Sequence, residues 1–285
     1  MIQILMNPTA NNGKGSDAGE ILEGIFKNSE INITNVTKIN NVAEFVSSFG
    51  KNDIIIVSGG DGTMSRFASD VYDLNLQQQI FLYPCGSGND FLRDVRERAK
   101  IENKLVSLNE FIKELPKVTV KGITRYFING IGFGIDGYCC EEGDKVRATS
   151  TKPVNYTNIA IGGLLGKYHP SNAEITVDGV TKTYNRVWLA PTMLGRYYGG
   201  GMMITPSQDR LNKEKTVSSA VWYGTGKLGI LPKFPSVFKG EHVKYTKSFE
   251  IRTGHEVKVV FDRPQALQID GETITDVTSY SVSYK

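Results

Sequence analysis

The strongest constraint on the fold is an apolar run that ends in a glycine-rich acidic turn, Ile54-Ile55-Ile56-Val57-Ser58-Gly59-Gly60-Asp61-Gly62-Thr63. A continuous run of β-branched residues predicts a buried parallel strand. Glycines at the carboxyl end of such a strand let backbone N–H groups approach an anion, because no Cβ stands in the way. Asp61 adds a carboxylate that can hold a hydrated Mg²⁺. The stretch therefore predicts a phosphate-handling site at the edge of an α/β sheet.

A second polar turn follows the next predicted strand. Residues 80–83 form that strand, and Cys85-Gly86-Ser87-Gly88-Asn89-Asp90-Phe91 follows it. A tight turn that merely uses glycine explains either segment alone. Parallel strands, however, deliver both turns to the same sheet edge, so two acid-bearing turns favour a shared site. Residues 64–72 are predicted to form a helix whose N-terminus points at the first turn, which suits phosphate.

The chain begins with a predicted strand over residues 2–6 and a polar loop, Asn7-Pro8-Thr9-Ala10-Asn11-Asn12-Gly13-Lys14-Gly15-Ser16. Polar loops after the first strand of α/β proteins often contact nucleotides. This loop is not a P-loop, because it lacks the Gly-Lys-Ser/Thr ending. From the loop alone, nucleotide contact and an ordinary connection to a helix are equally good interpretations.

Composition excludes several functional classes. The 285 residues suffice for two domains, and the net charge of +3 is too small to indicate nucleic-acid binding. Three cysteines, Cys85, Cys139 and Cys140, form neither a disulfide framework nor a zinc-ligand spacing, so a reducing cytosol is expected. The sequence shows no signal peptide and no apolar run of transmembrane length.

Near Val118 the pattern changes to short alternating segments separated by turn residues. This pattern predicts an antiparallel sandwich or barrel, with residues 156–165 as the only helical segment. We place the domain boundary near Gly122, giving an α/β domain over residues 1–122 and a β domain over residues 123–285. Gly132-Phe133-Gly134-Ile135-Asp136-Gly137 matches a dinucleotide fingerprint literally, but its position favours a glycine-rich strand with close backbone contacts.

Two further segments each leave two interpretations open. Residues 227–247 mix apolar residues with lysines, which suits an anionic membrane interface or a core-facing segment with a basic outer face. We prefer the core-facing interpretation. Asp270-Gly271-Glu272 follows a predicted strand, and taken alone it favours an ordinary β-hairpin turn.

Taken together, six segments resemble the diacylglycerol kinase catalytic family, which includes bacterial lipid kinases and sphingosine kinases. In chain order they are Asn7-Pro8-Thr9, Gly59-Gly60-Asp61-Gly62-Thr63, Gly86-Ser87-Gly88-Asn89-Asp90-Phe91, Arg125-Tyr126-Phe127-Ile128-Asn129, Gly199-Gly200-Gly201 and Asp270-Gly271-Glu272. The resemblance implies an N-terminal Rossmann-like α/β nucleotide-binding domain and a C-terminal antiparallel β-sandwich domain. It also implies transfer of the γ-phosphoryl group of ATP, with Mg²⁺, to a lipid hydroxyl, above all that of diacylglycerol to give phosphatidic acid.

The resemblance also implies roles for individual residues. The residues expected to contact ATP are Asn7, Pro8, Thr9, Thr37, Gly59, Gly60, Asp61, Gly62, Thr63 and Ser87. Asp61 and Asp90 would belong to the Mg²⁺–water network. Glu272 would be the general base, and Asp61 and Glu272 are the predicted catalytic residues. A lipid hydroxyl is a poor nucleophile at neutral pH, so a positioned carboxylate that accepts its proton suits this chemistry.

The chain departs from the family pattern at three places. Met64-Ser65-Arg66 replaces a small residue followed by Asn-Glu, Asn212 stands where an accessory metal ligand is usually Asp, and residues 118–121 contain no acid. An NAD kinase-like or other soluble-acceptor kinase and a non-catalytic sensor are therefore the alternative functions. The lipid interpretation predicts a cytoplasmic protein in transient peripheral contact with the inner membrane leaflet. A homodimer is one candidate for the oligomeric state.

Overall fold

A computed structural model of the chain describes residues 1–86, 88–150 and 154–285. These residues form two compact units, Met1–Leu115 and Pro116–Lys285. The division falls a few residues before the boundary expected near Gly122. The strand Lys117–Val120 accounts for the difference, because it pairs with strands of the second unit.

The first unit is a helix-flanked sheet, as its alternating strand and helix patterns predict. Its strands are β1 (Ile2–Met6), β2 (Ile31–Asn35), β3 (Ile54–Gly59), β4 (Gln79–Pro84), β5 (Ile101–Glu102) and β6 (Leu105–Ser107). Its helices are α1 (Ala10–Gly13), α2 (Asp17–Ile25), α3 (Val42–Ser47), α4 (Asp61–Val71), α5 (Asp90–Val95) and α6 (Asn109–Ile112), with 3-10 turns at Lys14–Ser16 and Val36–Lys38. The sheet order is β2-β1-β3-β4-β6-β5, and the first four strands are parallel.

The apolar run of β3 lies in the middle of this sheet. Ile55, Ile56 and Val57 are fully buried there, which confirms the predicted central strand. Ile56 packs in a cluster with Ile4 of β1 and Leu22 of α2. Helix α4 begins directly after the glycine turn, three residues before the predicted start, so the acid of that turn belongs to its first turn.

The second unit is dominated by antiparallel strands. They are β7 (Lys117–Val120), β8 (Ile123–Tyr126), β9 (Gly130–Gly134), β10 (Ser171–Val177), β11 (Val180–Val187), β12 (Leu189–Met193), β13 (Tyr197–Tyr198), β14 (Met202–Met203), β15 (Val217–Trp222), β16 (Phe249–Gly254), β17 (Glu256–Ile269) and β18 (Glu272–Ser283). Helical segments are α7 (Ile135–Thr149), α8 (Tyr156–Gly162), the π-helix Gly163–Lys167, α9 (Lys227–Ile230) and the 3-10 helices Phe234–Lys239 and Glu241–Lys244. Both expected fold classes, α/β followed by antiparallel β, are confirmed.

The long strand β17 organises the second sheet, whose main order is β16-β15-β12-β9-β17-β18-β7-β8. Its first part pairs with β10, and its last three residues pair with β9. The register of β17 with β18 shifts between Val260 and Gln265. This irregularity separates the part of β17 that pairs with β10 from the part that pairs with β9. The buried aromatic residues Trp188, Trp222 and Phe249 belong to one core cluster of this unit.

Helix α7 is the main correction to the predicted secondary structure. The expectation that residues 156–165 form the only helical segment of this half is wrong, because Ile135–Thr149 is a 15-residue helix. Its inward positions include Asp136, Gly137 and Gly143, so it lacks the apolar stripe on which helix prediction depends. In the part of the chain that the structure describes, no helix is long and apolar enough to cross a bilayer.

The glycines before and within α7 confirm the predicted close backbone contacts. A Cβ on Gly137 would lie 1.8 Å from the carbonyl oxygen of Ala266. Gly134 has a φ of +94°, and a Cβ there would lie 2.5 Å from the carbonyl oxygen of Trp188. The strand before α7 belongs to an antiparallel sheet, so the literal dinucleotide fingerprint does not lie in a βαβ unit.

Candidate functional site

Four parallel strands of the first unit end at one edge of the sheet. Met6 of β1 is level with Asn35 of β2 and with Ser58 of β3, and Gly59 is level with Pro84 of β4. The nucleotide-contacting residues predicted in this half, as far as the structure describes them, lie at the ends of these strands or in the segments that directly follow them. The strand register therefore delivers them to the same edge, as expected for ligand sites of open α/β sheets.

The two glycine-rich turns pack against each other backbone to backbone. A Cβ on Gly86 would lie 2.4 Å from Cα of Gly60, and a Cβ on Gly60 would lie 2.9 Å from Cα of Gly86. The backbone N–H of Cys85 donates to the carbonyl of Gly59 at 3.0 Å. Glycine is thus required at both positions for packing, in addition to any approach of a ligand.

The carboxylate of Asp61 joins these two turns. One of its oxygens, Oδ2, accepts the backbone N–H of Asp90 at 2.7 Å, and Oδ1 accepts that of Phe91 at 3.0 Å. An acid in the first turn of α4 therefore caps the start of α5, which satisfies two N–H groups that have no partner within that helix. No local sequence pattern indicates this structural role, because the two segments are 29 residues apart.

The side chains of Asp61 and Asp90 face a common point. A Cβ on Gly88 would lie 3.4 Å from Oδ2 of Asp61 and 4.0 Å from Oδ2 of Asp90. Arg93 approaches the other oxygen of Asp90 at 3.6 Å. Within the described ranges, no group of three or more His, Cys, Asp or Glu residues could by itself hold a metal. Two carboxylates nevertheless fit Mg²⁺, which commonly takes one or two protein carboxylates together with phosphates and water.

The ends of β1 and β2 carry the same hydrogen-bonded arrangement. Asn7 accepts the backbone N–H of Thr9 at 3.0 Å and its hydroxyl at 2.7 Å, and Asn35 holds Thr37 at the same two distances. The amide of Asn7 also donates to the hydroxyl of Thr63 at 2.8 Å. These contacts fix three hydroxyl groups at the sheet edge, and the role of Asn35 was not anticipated.

The remaining predicted residues divide by location. Pro8 lies in the turn after β1, and Gly62 lies in the first turn of α4. Ser87 lies outside the described residues. Glu272 belongs to the second unit, at the start of β18.

The hairpin between β17 and β18 presents Glu272. Asp270 and Gly271 form its two-residue turn, with φ values of +46° and +90°, as a type I′ turn requires. The predicted hairpin is thereby confirmed. Glu272 is 45% exposed and accepts a hydrogen bond of 2.7 Å from Arg125. Arg125 thus holds one oxygen of an exposed carboxylate.

Asp270 has a separate, structural function. Its carboxylate accepts the backbone N–H groups of Ile128, Asn129 and Gly130 at 2.7, 2.9 and 2.8 Å. The buried guanidinium of Arg210 donates to the carbonyl of Ile128 and the side chain of Asn129, both at 3.0 Å. Nothing in the local sequence around Arg210 indicates this contact, which joins residues 81 or more positions apart.

A buried acid, Asp136, lies at the start of α7. Its Oδ1 accepts a hydrogen bond of 2.8 Å from the hydroxyl of Tyr198. Its Oδ2 has no hydrogen-bond partner among the described residues. Burial raises the pKa of Asp136 to about 7 and, together with Asp136, also raises that of the neighbouring Cys140 to about 12. The thiol of Cys140 is therefore protonated and unreactive at neutral pH.

The position expected for an accessory metal ligand is satisfied without a metal. The amide nitrogen of Asn212 donates to the carbonyls of Asp209 at 2.7 Å and Thr216 at 3.0 Å. Its oxygen accepts the N–H and the hydroxyl of Thr216 at 2.8 and 3.0 Å. The loop lines a polar depression of about 180 Å³. Because an amide donor already occupies the carbonyls, these residues do not fit a bound cation, and we assign no metal to them.

Comparison with known families agrees with this arrangement. The diacylglycerol kinase catalytic domain matches residues 1–120. The YegS C-terminal NAD kinase beta sandwich-like domain matches residues 129–282. The two matched segments correspond to the two compact units.

Individual relatives show the same likeness. The chain is 25% identical over 198 residues to diacylglycerol kinases of two Mycobacterium tuberculosis strains, over 67% of this chain and 62% of the relatives' length. A Bacillus anthracis crystal structure of a diacylglycerol kinase aligns with a TM-score of 0.61 at 16% identity, covering 99% of this chain and 93% of that one. A provisionally assigned diacylglycerol kinase of the same organism gives 0.69 at 18% identity, with coverages of 99% and 91%, and both likenesses concern the fold alone. The chain therefore carries a diacylglycerol kinase catalytic domain over residues 1–120 and belongs, over more than half of its length, to the family of the YegS C-terminal NAD kinase beta sandwich-like domain.

Proposed function

We propose that this protein is an ATP-dependent kinase that transfers the γ-phosphoryl group to the hydroxyl of a lipid, above all diacylglycerol, which gives phosphatidic acid. The observation that carries the proposal is the pair of glycine turns bridged by Asp61 at the edge of the first sheet. The match to the diacylglycerol kinase catalytic domain supports it. The acceptor, the metal and the roles of single residues are parts of the proposal.

The first unit would bind ATP through groups that are already fixed. Turns without Cβ atoms let backbone N–H groups approach phosphate oxygens closely. The hydroxyls of Thr9, Thr37 and Thr63 are oriented by asparagines and need little reordering when a ligand binds. Asp61 and Asp90 would hold Mg²⁺, which supplies charge neutralisation to the transferring phosphoryl group.

The second unit would supply the general base. A lipid hydroxyl becomes a better nucleophile when a carboxylate accepts its proton as the new bond forms. Glu272 suits this role, because it stands at a rigid hairpin and is half exposed. Arg125 would orient the carboxylate before the substrate arrives and would then release or share it.

A soluble acceptor is the second candidate. It is favoured by the second family match, whose description refers to NAD kinase. For a lipid acceptor, the protein would work in the cytoplasm in peripheral contact with the inner leaflet, since its substrate resides in the membrane.

The deciding experiment is a transfer assay with γ-labelled ATP and a panel of acceptors. Diacylglycerol, other lipid alcohols and NAD are offered separately, and the products are resolved by thin-layer chromatography. We expect label in phosphatidic acid and much less in the other products. Label in NAD phosphate alone would establish the soluble-acceptor function instead, and ATP binding without any transfer would contradict both.

A further inference from the structure

Two neighbouring helical segments of the second unit expose apolar side chains: α9, and α8 with the π-helix that continues it. Leu228 on α9 is 90% exposed, Leu165 on the π-helix is 62% exposed, and Ile161 on α8 is 46% exposed. The two segments lie side by side, because a Cβ on Gly166 would lie 3.4 Å from Nζ of Lys227. Single exposed leucines are common on protein surfaces, but exposed apolar residues that lie together indicate an interaction site.

The exposed leucines are held outward by buried neighbours. Leu164, next to Leu165, and Ile230, on the same turn as Leu228, are both buried in one core cluster. Ile230 and Val237 face the core as preferred from the sequence, while Leu228 has no intramolecular reason to be a leucine.

Lysines dominate the charge of these segments, while the acids nearest to them are Glu241 and the acids of α7, which packs against α8. Residues 156–169 and 224–240 contain four lysines, Lys167, Lys227, Lys233 and Lys239, and no Asp or Glu. An apolar centre flanked by lysines matches the interface of a bilayer that contains anionic lipids. Lysine stems can lie along the apolar boundary while their ammonium groups meet lipid phosphates.

We propose that the Leu228 surface, comprising Ile161, Leu165, Lys167, Lys227 and Leu228, docks the protein on an anionic lipid bilayer. Its apolar side chains enter the interfacial region, and its lysines contact the headgroups. The inference rests on the proposed function only in that a membrane-resident acceptor makes such docking useful. A second protein copy on this surface would be an alternative occupant, and the test below distinguishes it.

The test is sedimentation of the full chain with vesicles of phosphatidylglycerol and phosphatidylcholine in equal parts, with pure phosphatidylcholine vesicles as the comparison. We expect Leu228→Glu to weaken binding to the anionic vesicles at least about tenfold, because it replaces an inserted apolar group with a charge that the lipids repel. Added salt should weaken the wild-type protein's binding. Val180→Glu is the matched control, because Val180 is 60% exposed in the same unit but lies on the β10–β11 hairpin.

Three results would overturn the proposal. They are failure of the wild-type protein to bind the anionic vesicles, equal loss of binding in Leu228→Glu and Val180→Glu, and a dimer in solution that Leu228→Glu dissociates while vesicle binding persists. Phosphorylation of short-chain diacylglycerol dispersed in detergent separates this question from the proposed function. Vesicle binding that Leu228→Glu weakens, without any lipid phosphorylation, would refute the lipid-kinase assignment while leaving the docking surface established.

Discussion

At the residue scale, the acids singled out above differ in their hydrogen-bond partners. Asp61 and Asp270 both satisfy backbone N–H groups of distant segments, two in the first case and three in the second. Such carboxylates stabilise the fold through charge-assisted hydrogen bonds. Glu272 is different, because it contacts a single guanidinium and remains accessible. An acid that is not needed by the backbone is the better candidate for proton transfer.

Asp136 gives a prediction about stability and pH. Its pKa is about 7 in the folded protein, against 3.8 for an ordinary Asp, because burial disfavours the charged form. Between these values the folded state holds a proton that the unfolded state has lost, so Asp136 makes the free energy of unfolding fall as pH rises toward 7. Asp136→Asn removes this loss and keeps the acceptor for Tyr198. Relative to wild type, it should gain about 3 kcal/mol of stability between about pH 5 and about pH 8, because about two pH units of this window lie below the folded-state pKa.

Urea unfolding at the two pH values measures this difference. Asp276→Asn is the control, because Asp276 is a well-exposed acid of the same unit whose replacement should leave the pH dependence unchanged. If the free energy of unfolding of Asp136→Asn changed with pH by the same amount as that of wild type, the raised pKa of Asp136 would be contradicted.

At the element scale, the loop that contains Asn212 is closed by an amide in place of a metal. The amide donates to two carbonyls, and Asp at this position could not do so. Without ATP, whose phosphates complete the proposed Mg²⁺ site at Asp61 and Asp90, we expect wild type to melt at the same temperature with Mg²⁺ and with a chelator. Asn212→Asp should melt lower in chelator, by about 1 kcal/mol of unfolding free energy, because two partly buried carbonyls lose their donors. Mg²⁺ or Ca²⁺ should restore part of this loss, since oxygen ligands then surround a cation.

Thermal melting of both proteins, with and without the cations, provides the measurement. Asn185→Asp introduces the same charge at an exposed position of β11 and should show no cation dependence. A wild-type melting temperature that falls in chelator would contradict the metal-free interpretation of this loop.

At the scale of the whole molecule, the proposal assigns ATP binding to the first unit and proton acceptance to the second. Asp61→Asn should abolish the increase in melting temperature that ATP and Mg²⁺ produce, because it disrupts the contact between the two glycine turns. Glu272→Gln should keep that increase while lowering the rate of phosphoryl transfer about 10²- to 10⁴-fold. Melting curves and single-turnover rates with labelled ATP separate the two effects. Full activity in Glu272→Gln would remove the general base from the proposal.

Much of the architecture follows from local sequence. The apolar run before Gly59 predicts β3, the glycine turns predict the ends of β3 and β4, and Asp270-Gly271 predicts the last hairpin. Each of these depends on hydrophobic periodicity or on a backbone conformation that few residue types adopt, and both can be recognised within a few residues. Helix α7 could not be predicted in this way, because glycines and an acid occupy its buried face.

The sequence by itself determined the parallel strands β1 to β4, the change from an α/β pattern to an antiparallel β pattern and the residues that resemble a kinase family. Only the tertiary structure decided what those residues do for the fold. It showed that Asp61 caps a distant helix, that Arg210 supports the segment held by Asp270, and that Leu228 faces solvent while Ile230 faces the core. The physical reason is that patterning depends on neighbours along the chain, whereas hydrogen bonds and burial depend on neighbours in space, which for these residues lie tens of positions away.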